Sequence, residues 1–133
     1  MFLVTGGSGF IASNLVMALQ GRAPVVVCDN YGTDDKWKNL RSACIERFIE
    51  PEQIHDFLKQ YGAELTGVLH LGAISATTER DVDLIVRSNL QLSRLLWDFC
   101  AERKISFIYA SSAATYGDGA LGFDDRSDAD YLA

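Results

Sequence analysis

The glycines near the start of the chain are the first residues whose spacing suggests ligand binding. Gly6-Gly7-Ser8-Gly9 follows a short apolar run, Phe2 to Thr5, and precedes a segment with helical periodicity. Gly6 would allow a sharp turn, and Gly9 would let the backbone approach a pyrophosphate held by the N–H groups that begin the helix. Ala12, where a third glycine is common, still allows close packing of helix on strand. The pattern predicts a dinucleotide site; the alternative is a tight turn without a ligand.

Asp29 gives a second signal, twenty positions after Gly9 and directly after the apolar run Val25 to Cys28. A carboxylate at this place can accept hydrogen bonds from the adenosine ribose hydroxyls, which favours NAD over NADP. Lys36, in the loop that follows, could offset that charge and meet a ribose 2′-phosphate. The alternatives are an aspartate that only ends a strand and a solvated lysine. The predicted cofactor is therefore NADP or NAD.

Other polar or small residues are interpreted more simply. Leu71, Gly72 and Ala73 end an apolar run with small side chains that would leave room for a flat cofactor. Asn89 lies on an apolar helix face, so its amide is expected to find backbone partners. His55 and His70 are isolated from each other and from the cysteines, which predicts packing or surface roles and no metal site.

The elements needed to position these residues alternate between strand and helix. Buried strands are predicted over 2–5, 25–28, 67–71 and 105–110, with a weaker one over 45–49. Helices are predicted over 10–20, 51–62 and 81–103, the first with Ile11, Leu15 and Leu19 facing the core. This alternation indicates an α/β fold of Rossmann type, a parallel sheet in the order 3-2-1-4-5 with helices on both faces. The strand ends at Thr5, Cys28, Leu71 and Ala110 would then surround one cleft.

Composition narrows the class of protein. The 133 residues suit one domain, and the net charge of −6 disfavours nucleic acid and anionic membranes as partners. Three cysteines without a CxxC spacing argue against a disulfide framework and a zinc cluster. The start lacks a basic, cleavable leader, and no apolar run approaches the roughly 18 residues of a membrane span. The expected location is the cytoplasm.

Three strings resemble the extended short-chain dehydrogenase/reductase family, which contains the NAD-dependent epimerases and dehydratases. They are Val4 to Asn14, Cys28 to Asn30 and Tyr109 to Gly117, and the resemblance covers the whole chain. Three segments narrow it toward the epimerases of ADP-heptose: Ser111 to Gly117, Ser75 to Glu79 and Lys36 to Leu40. The resemblance implies an enzyme that oxidises a sugar nucleotide transiently and returns the hydride with inverted stereochemistry.

The same resemblance assigns roles to individual residues. It implies pyrophosphate contacts at Gly6, Gly9, Phe10 and Ile11, and adenosine contacts at Asp29 and Asn30. It makes Lys36 the reason why such enzymes accept NADP, and Ser112 the catalytic serine. It also implies a homo-oligomer for the full-length protein.

The chain departs from the family pattern after the serine. Family members carry a Tyr-x-x-x-Lys pair beyond it and then a substrate domain, whereas no tyrosine here has lysine at that spacing. Tyr31, Tyr61, Tyr109 and Tyr116 are followed by Asp35, Leu65, Ala113 and Ala120. We therefore expect residues 1–133 to be a dinucleotide-binding domain truncated before both features and inactive alone. Alternatives are another sugar-nucleotide epimerase or dehydratase and a non-catalytic NAD(P)-binding module.

Overall fold

Five parallel strands form one sheet in the order β3-β2-β1-β4-β5, as the sequence predicts. The computed structural model describes residues 1–120 and 122–124, so the end of the domain predicted over 1–133 lies outside the described residues. The strands are β1 Phe2–Thr5, β2 Val25–Cys28, β3 Arg47–Ile49, β4 Gly67–His70 and β5 Ser106–Tyr109. The register pairs Thr5 with Cys28 on one side and with His70 on the other, so these strand ends are level.

The helices connect the strands near the predicted positions. They are α1 Phe10–Leu19, α2 Ile54–Tyr61, α3 Val82–Ile85 and α4 Leu92–Arg103, with 3₁₀ helices at Asp35–Leu40, Pro51–Gln53, Gly62–Glu64 and Ala113–Tyr116. The predicted helix over 81–103 is continuous in extent but contains a π-helical segment, Val86–Gln91, between α3 and α4. Asp81 caps its start by accepting a hydrogen bond from the Leu84 amide at 2.9 Å. No helix in the described ranges is both long and apolar enough to cross a membrane.

Two hydrophobic clusters cover the opposite faces of the sheet. One packs α2 and α4 against the sheet, and the other packs α1 and the Asp35–Leu40 helix against it. Successive strand residues alternate between the clusters: Leu3 belongs to the first and Val4 to the second, because side chains point to opposite faces along a strand. The sheet is therefore buried on both faces at its centre, which explains its nearly unbroken apolar strands.

The core face predicted for α1 is confirmed at Leu19, which packs against one of the two clusters, and is wrong at Ile11. Ile11 is 71% exposed, and the buried residues of α1 are Ala12, Ser13 and Val16. The helix is rotated so that small side chains meet the sheet, which brings its backbone close to the strands. Ile11 instead lies at the cleft described below.

Candidate dinucleotide-binding site

A cleft of about 430 Å³ opens at the carboxyl ends of β1, β2 and β4. Its lining contains every predicted cofactor residue except Asn30. The lining residues are Gly6, Gly9, Phe10, Ile11, Ala12, Asp29, Lys36, Leu71, Gly72, Ala73, Ser75 and Ala110. The predicted residues therefore lie together where the connections after β1 and β4 leave toward opposite faces of the sheet. Open α/β sheets bind their ligands at this place.

The glycine turn presents the start of α1 to this cleft. Gly6 has a φ of +66°, a conformation that favours glycine. The Gly6 amide donates to the Cys28 carbonyl at 2.8 Å, and the Gly9 amide donates to the Gly6 carbonyl at 2.9 Å. Within the described part of the chain, no side chain caps α1 and no acidic residue occupies its first turn. This ten-residue helix can therefore offer N–H groups and the positive end of its dipole to an anion.

A close backbone approach fixes the floor of the cleft. A Cβ atom added to Gly6 would lie 2.6 Å from the Cα of Gly72, and one added to Gly72 would lie 2.8 Å from the Gly6 nitrogen. Neither position tolerates a side chain unless the backbone moves. The two glycines therefore let the turn after β1 rest directly on the segment after β4.

Asp29 is already hydrogen-bonded through both carboxylate oxygens. Oδ2 accepts from the Ser8 amide at 2.9 Å and also from the Ser8 hydroxyl, whereas Oδ1 accepts from the Asn30 amide at 2.7 Å. Oδ1 also pairs with Lys36 Nζ at 3.2 Å, as expected from the interpretation that Lys36 offsets this charge. The Asp29 side chain is only 11% exposed, so the pair is partly shielded from water.

Ser8 and Asn39 do not line the cleft but support residues that do, and the sequence interpretation gives them no role. Asn39 Nδ2 donates to the Ser8 carbonyl at 2.8 Å and so ties the Asp35–Leu40 helix to the glycine turn. Asn39 lies within the Lys36 to Leu40 string, but nothing in that string indicates its partner, which is 31 positions away. Together with Asp29, the two residues hold Lys36 beside the cleft.

Two predicted site residues lie outside this lining. Asn30 instead lines a neighbouring cavity of about 260 Å³ with Pro51 and Glu52. Ser112 follows the cleft residue Ala110 by two positions, and its hydroxyl accepts a hydrogen bond from the Ala114 amide at 3.2 Å. That bond caps the Ala113–Tyr116 helix and leaves the hydroxyl proton available for another acceptor.

Asn89 and the histidines differ in environment. Asn89 finds the backbone partners predicted for it: Oδ1 accepts from the Ile74 amide at 2.7 Å, and Nδ2 donates to the Ile74 carbonyl at 2.9 Å. His55 is exposed, whereas His70 is buried and its pKa is lowered by desolvation. Among residues 1–120 and 122–124, no group of His, Cys, Asp or Glu side chains could hold a metal ion.

The cysteines are free thiols. Cys28 and Cys100 are buried, and Cys44 is exposed. Burial, the Asp29 charge and the Glu52 charge raise the pKa of Cys28 to about 12, and burial raises the pKa of Cys100. Cys28 therefore stays protonated at neutral pH and packs as a small apolar side chain.

The sheet order, the glycine turn and the acidic residue after β2 together define a Rossmann-type fold. Residues 2–131 match the model of the NAD dependent epimerase/dehydratase family. The chain belongs to this family.

Relatives and solved structures agree with that assignment. The chain is 45% identical over 129 residues to a protein of Nitratidesulfovibrio vulgaris strain DP4 and 41% identical over 129 residues to one of Fusobacterium nucleatum, both named ADP-L-glycero-D-manno-heptose-6-epimerase. Each alignment covers 94% of this chain but only 40% or 39% of the relative. The chain therefore spans about two fifths of the length of the curated relatives it matches.

Two solved epimerases have the same fold over most of the chain. The Helicobacter pylori ADP-L-glycero-D-manno-heptose-6-epimerase superposes with a TM-score of 0.72 at 30% identity, covering 87% of this chain and 40% of that one. The Bacillus cereus UDP-glucuronic acid 4-epimerase, solved in complex with NAD, gives the same TM-score at 29% identity and the same two coverages.

Proposed function

We propose that the cleft binds NADP, with NAD as a weaker ligand, and that the chain is the cofactor-binding part of an ADP-heptose 6-epimerase. The observation that carries the proposal is the Lys36–Asp29 pair beside the glycine turn. The turn would bind the pyrophosphate through the amides that begin α1. Asp29 and Lys36 would then lie near the adenosine ribose, where the two cofactors differ.

The preference for NADP rests on the balance of charge around Asp29. An unpaired carboxylate would accept hydrogen bonds from both ribose hydroxyls and repel a 2′-phosphate. Lys36 Nζ lies 3.2 Å from Oδ1, so it offsets that repulsion and can turn toward a phosphate oxygen. The Asn39 bond to the glycine turn keeps Lys36 on the cleft side.

Ser112 is the proposed catalytic residue of the full-length protein. It follows β5 at the same edge of the sheet as the cleft, and its free hydroxyl proton can be donated to the sugar oxygen that becomes a ketone. A serine is a poor base at neutral pH, so the deprotonation needs a stronger partner. When bound, the cofactor supplies a reversible hydride acceptor, and the substrate and the product have the same oxidation state.

Identity to named relatives supports one substrate within the family. The Bacillus cereus enzyme acts on a UDP-sugar and has the same TM-score as the Helicobacter pylori enzyme, so the fold does not separate the substrates. The 45% identity to a protein named for ADP-heptose supports that sugar nucleotide. Another sugar-nucleotide epimerase is the second candidate.

The test is cofactor binding by Lys36→Ala, measured by titrating the chain with NADPH and with NADH. Loss of one charge-assisted contact should weaken NADPH binding by on the order of 1.5–3 kcal/mol, or roughly 10- to 150-fold. NADH binding should not weaken, because Asp29 loses a competitor for its Oδ1 atom.

Lys59→Ala is the matched control. Lys59 also pairs with an aspartate, Asp56 at 3.7 Å, but on the exposed surface of α2. It should leave both affinities unchanged. Equal weakening of NADPH and NADH by Lys36→Ala would remove Lys36 from the 2′-phosphate site, and binding of neither cofactor to the parent chain would refute the proposed function.

A further inference from the structure

A line of hydrogen-bonded side chains crosses the protein beneath the cofactor cleft. Thr5 Oγ1 lies 2.7 Å from His70 Nδ1, and His70 Nε2 lies 2.7 Å from Ser93 Oγ. The line joins the ends of β1 and β4 to the first turn of α4. Thr5 is 1% exposed and His70 is 4% exposed, so water does not compete for the bond between them, whereas the bond to the half-buried Ser93 is partly shielded.

The direction of each bond follows by elimination. Ser93 Oγ lies 2.7 Å from the Asn89 carbonyl, which can only accept, so the serine proton is used there. Ser93 must then accept from His70, which places the imidazole proton on Nε2. His70 Nδ1 is left as an acceptor and takes the Thr5 hydroxyl proton. Thr5 Oγ1 in turn accepts from the Gly72 amide at 3.0 Å.

One end of this line reaches Gly72, which lines the cleft, and the other reaches Ile74, which lies between the lining residues Ala73 and Ser75. At one end the Gly72 amide belongs to the cleft lining. At the other end Ser93 bonds to Asn89, whose side-chain amide holds both backbone groups of Ile74. Asn89 lies in the π-helical segment, and such segments are frequent at functional sites. The segment 71–74 is thus fastened at two points through His70.

We propose that His70, fixed as the Nε2–H tautomer between Thr5 and Ser93, is a positioning residue that holds the wall formed by residues 71–74 in the shape that the cofactor needs. The claim about the cofactor rests on the function proposed above, whereas the claim about the wall does not. A histidine fits this place because its neutral ring accepts a hydrogen bond at one nitrogen and donates one at the other. It can therefore link Thr5 and Ser93, which lie 65 and 23 residues from it in the sequence.

The tautomer is tested first, by long-range ¹H–¹⁵N correlation spectra of the chain at neutral pH. The chain contains only two histidines, so His55→Gln assigns the signals. The spectrum should show His70 as a single Nε2–H tautomer. A Nδ1–H tautomer, or rapid exchange between the two forms, would overturn the proposal.

Positioning is tested with Ser93→Ala, which removes the acceptor of the His70 Nε2–H and the bond to Asn89. A buried donor without a partner is costly, so hydrogen exchange of the Ile74 amide should accelerate about tenfold or more. Ser93→Thr keeps a hydroxyl that can reach the same carbonyl and should restore slow exchange. Ser42→Ala, at an exposed serine, is the control and should change nothing.

NADPH titration of the same three variants tests the link to the cofactor. Ser93→Ala should weaken NADPH binding about tenfold, and Ser93→Thr should recover it. If the parent binds NADPH and Ser93→Ala binds it equally well, the positioning role is wrong while the proposed function stands. If the parent binds neither cofactor, the proposed function fails, and Ile74 exchange alone decides whether His70 holds the wall.

Discussion

Replacing Gly6 by alanine tests the closest backbone contact in the cleft. Two separate costs are expected. Gly6 has a φ of +66°, and an alanine in that conformation is about 1–2 kcal/mol less stable than glycine. The added methyl group would also lie 2.6 Å from the Gly72 Cα, so the backbone after β1 and β4 must separate, which costs about 1–3 kcal/mol more.

Gly32→Ala separates these two costs. Gly32 has nearly the same conformation, with a φ of +64°, but a Cβ atom there would meet nothing within 4 Å. This control should lose only the conformational part, about 1–2 kcal/mol, whereas Gly6→Ala should lose about 2–5 kcal/mol. The difference in unfolding free energy between the two variants measures the cost of separating the segments that follow β1 and β4.

The assay is urea denaturation of both variants and the parent, followed by circular dichroism and extrapolated to water. Since domains of this kind are stable by about 5–15 kcal/mol, Gly32→Ala should remain folded. A Gly6→Ala chain that fails to fold while Gly32→Ala folds would agree with the argument. Equal losses of unfolding free energy would refute it, because the contact with Gly72 would then carry no cost.

Two further predictions concern His70 and Ser112. Desolvation lowers the pKa of His70 in the folded state below its ordinary value of 6.5. The unfolded chain therefore binds more protons than the folded chain just below that pH. The contribution of His70 to the free energy of unfolding should be fully present above about pH 6.5 and should decrease as the pH falls toward the folded-state pKa. Denaturation midpoints between pH 8 and 5 measure this, and a fall that persists unchanged in a folded His70→Gln chain would contradict the assignment. If Ser112 is the catalytic serine as proposed, Ser112→Ala in the full-length protein should slow epimerisation of ADP-heptose by roughly 100-fold or more without weakening NADPH binding, since the proposed contact of its hydroxyl is with the sugar. Turnover at the parent rate would remove Ser112 from the chemistry.

The topology and most of the cleft lining could be predicted from the sequence. The run Val25 to Cys28 has the unbroken apolar character of a strand covered on both faces, and two clusters do cover it. Parallel strands joined by helices bring their carboxyl ends to one edge, so Gly6 and Gly72 could be placed together without knowing their distance. The proximity of Lys36 to Asp29 followed from the short loop between them.

The features that could not be predicted depend on the rotation of a helix about its own axis and on hydrogen bonds between residues far apart in the sequence. Apolar spacing placed Ile11 in the core, but Ala12 and Val16 are buried instead, because apolar residues occur around most of α1 and its periodicity does not single out one face. The π-helical segment is a change in hydrogen-bond register that leaves no composition signal. The sequence does not reveal the partners of His70, because Thr5 and Ser93 lie 65 and 23 residues away along the chain.

The saturated hydrogen bonding of Asp29 has a consequence for cofactor engineering. Both carboxylate oxygens of Asp29 have donors within the protein, from Ser8, Asn30 and Lys36. A ribose hydroxyl must therefore replace an existing partner, and the gain is the difference between two hydrogen bonds. If the cofactor binds as proposed, substituting Lys36 alone changes the affinity for both cofactors, because it removes the cation that would face the 2′-phosphate of NADP and frees a carboxylate oxygen for the ribose hydroxyl of NAD. Given the proposed preference for NADP, a redesign toward NAD should therefore begin at that one position, with Asp29 left in place.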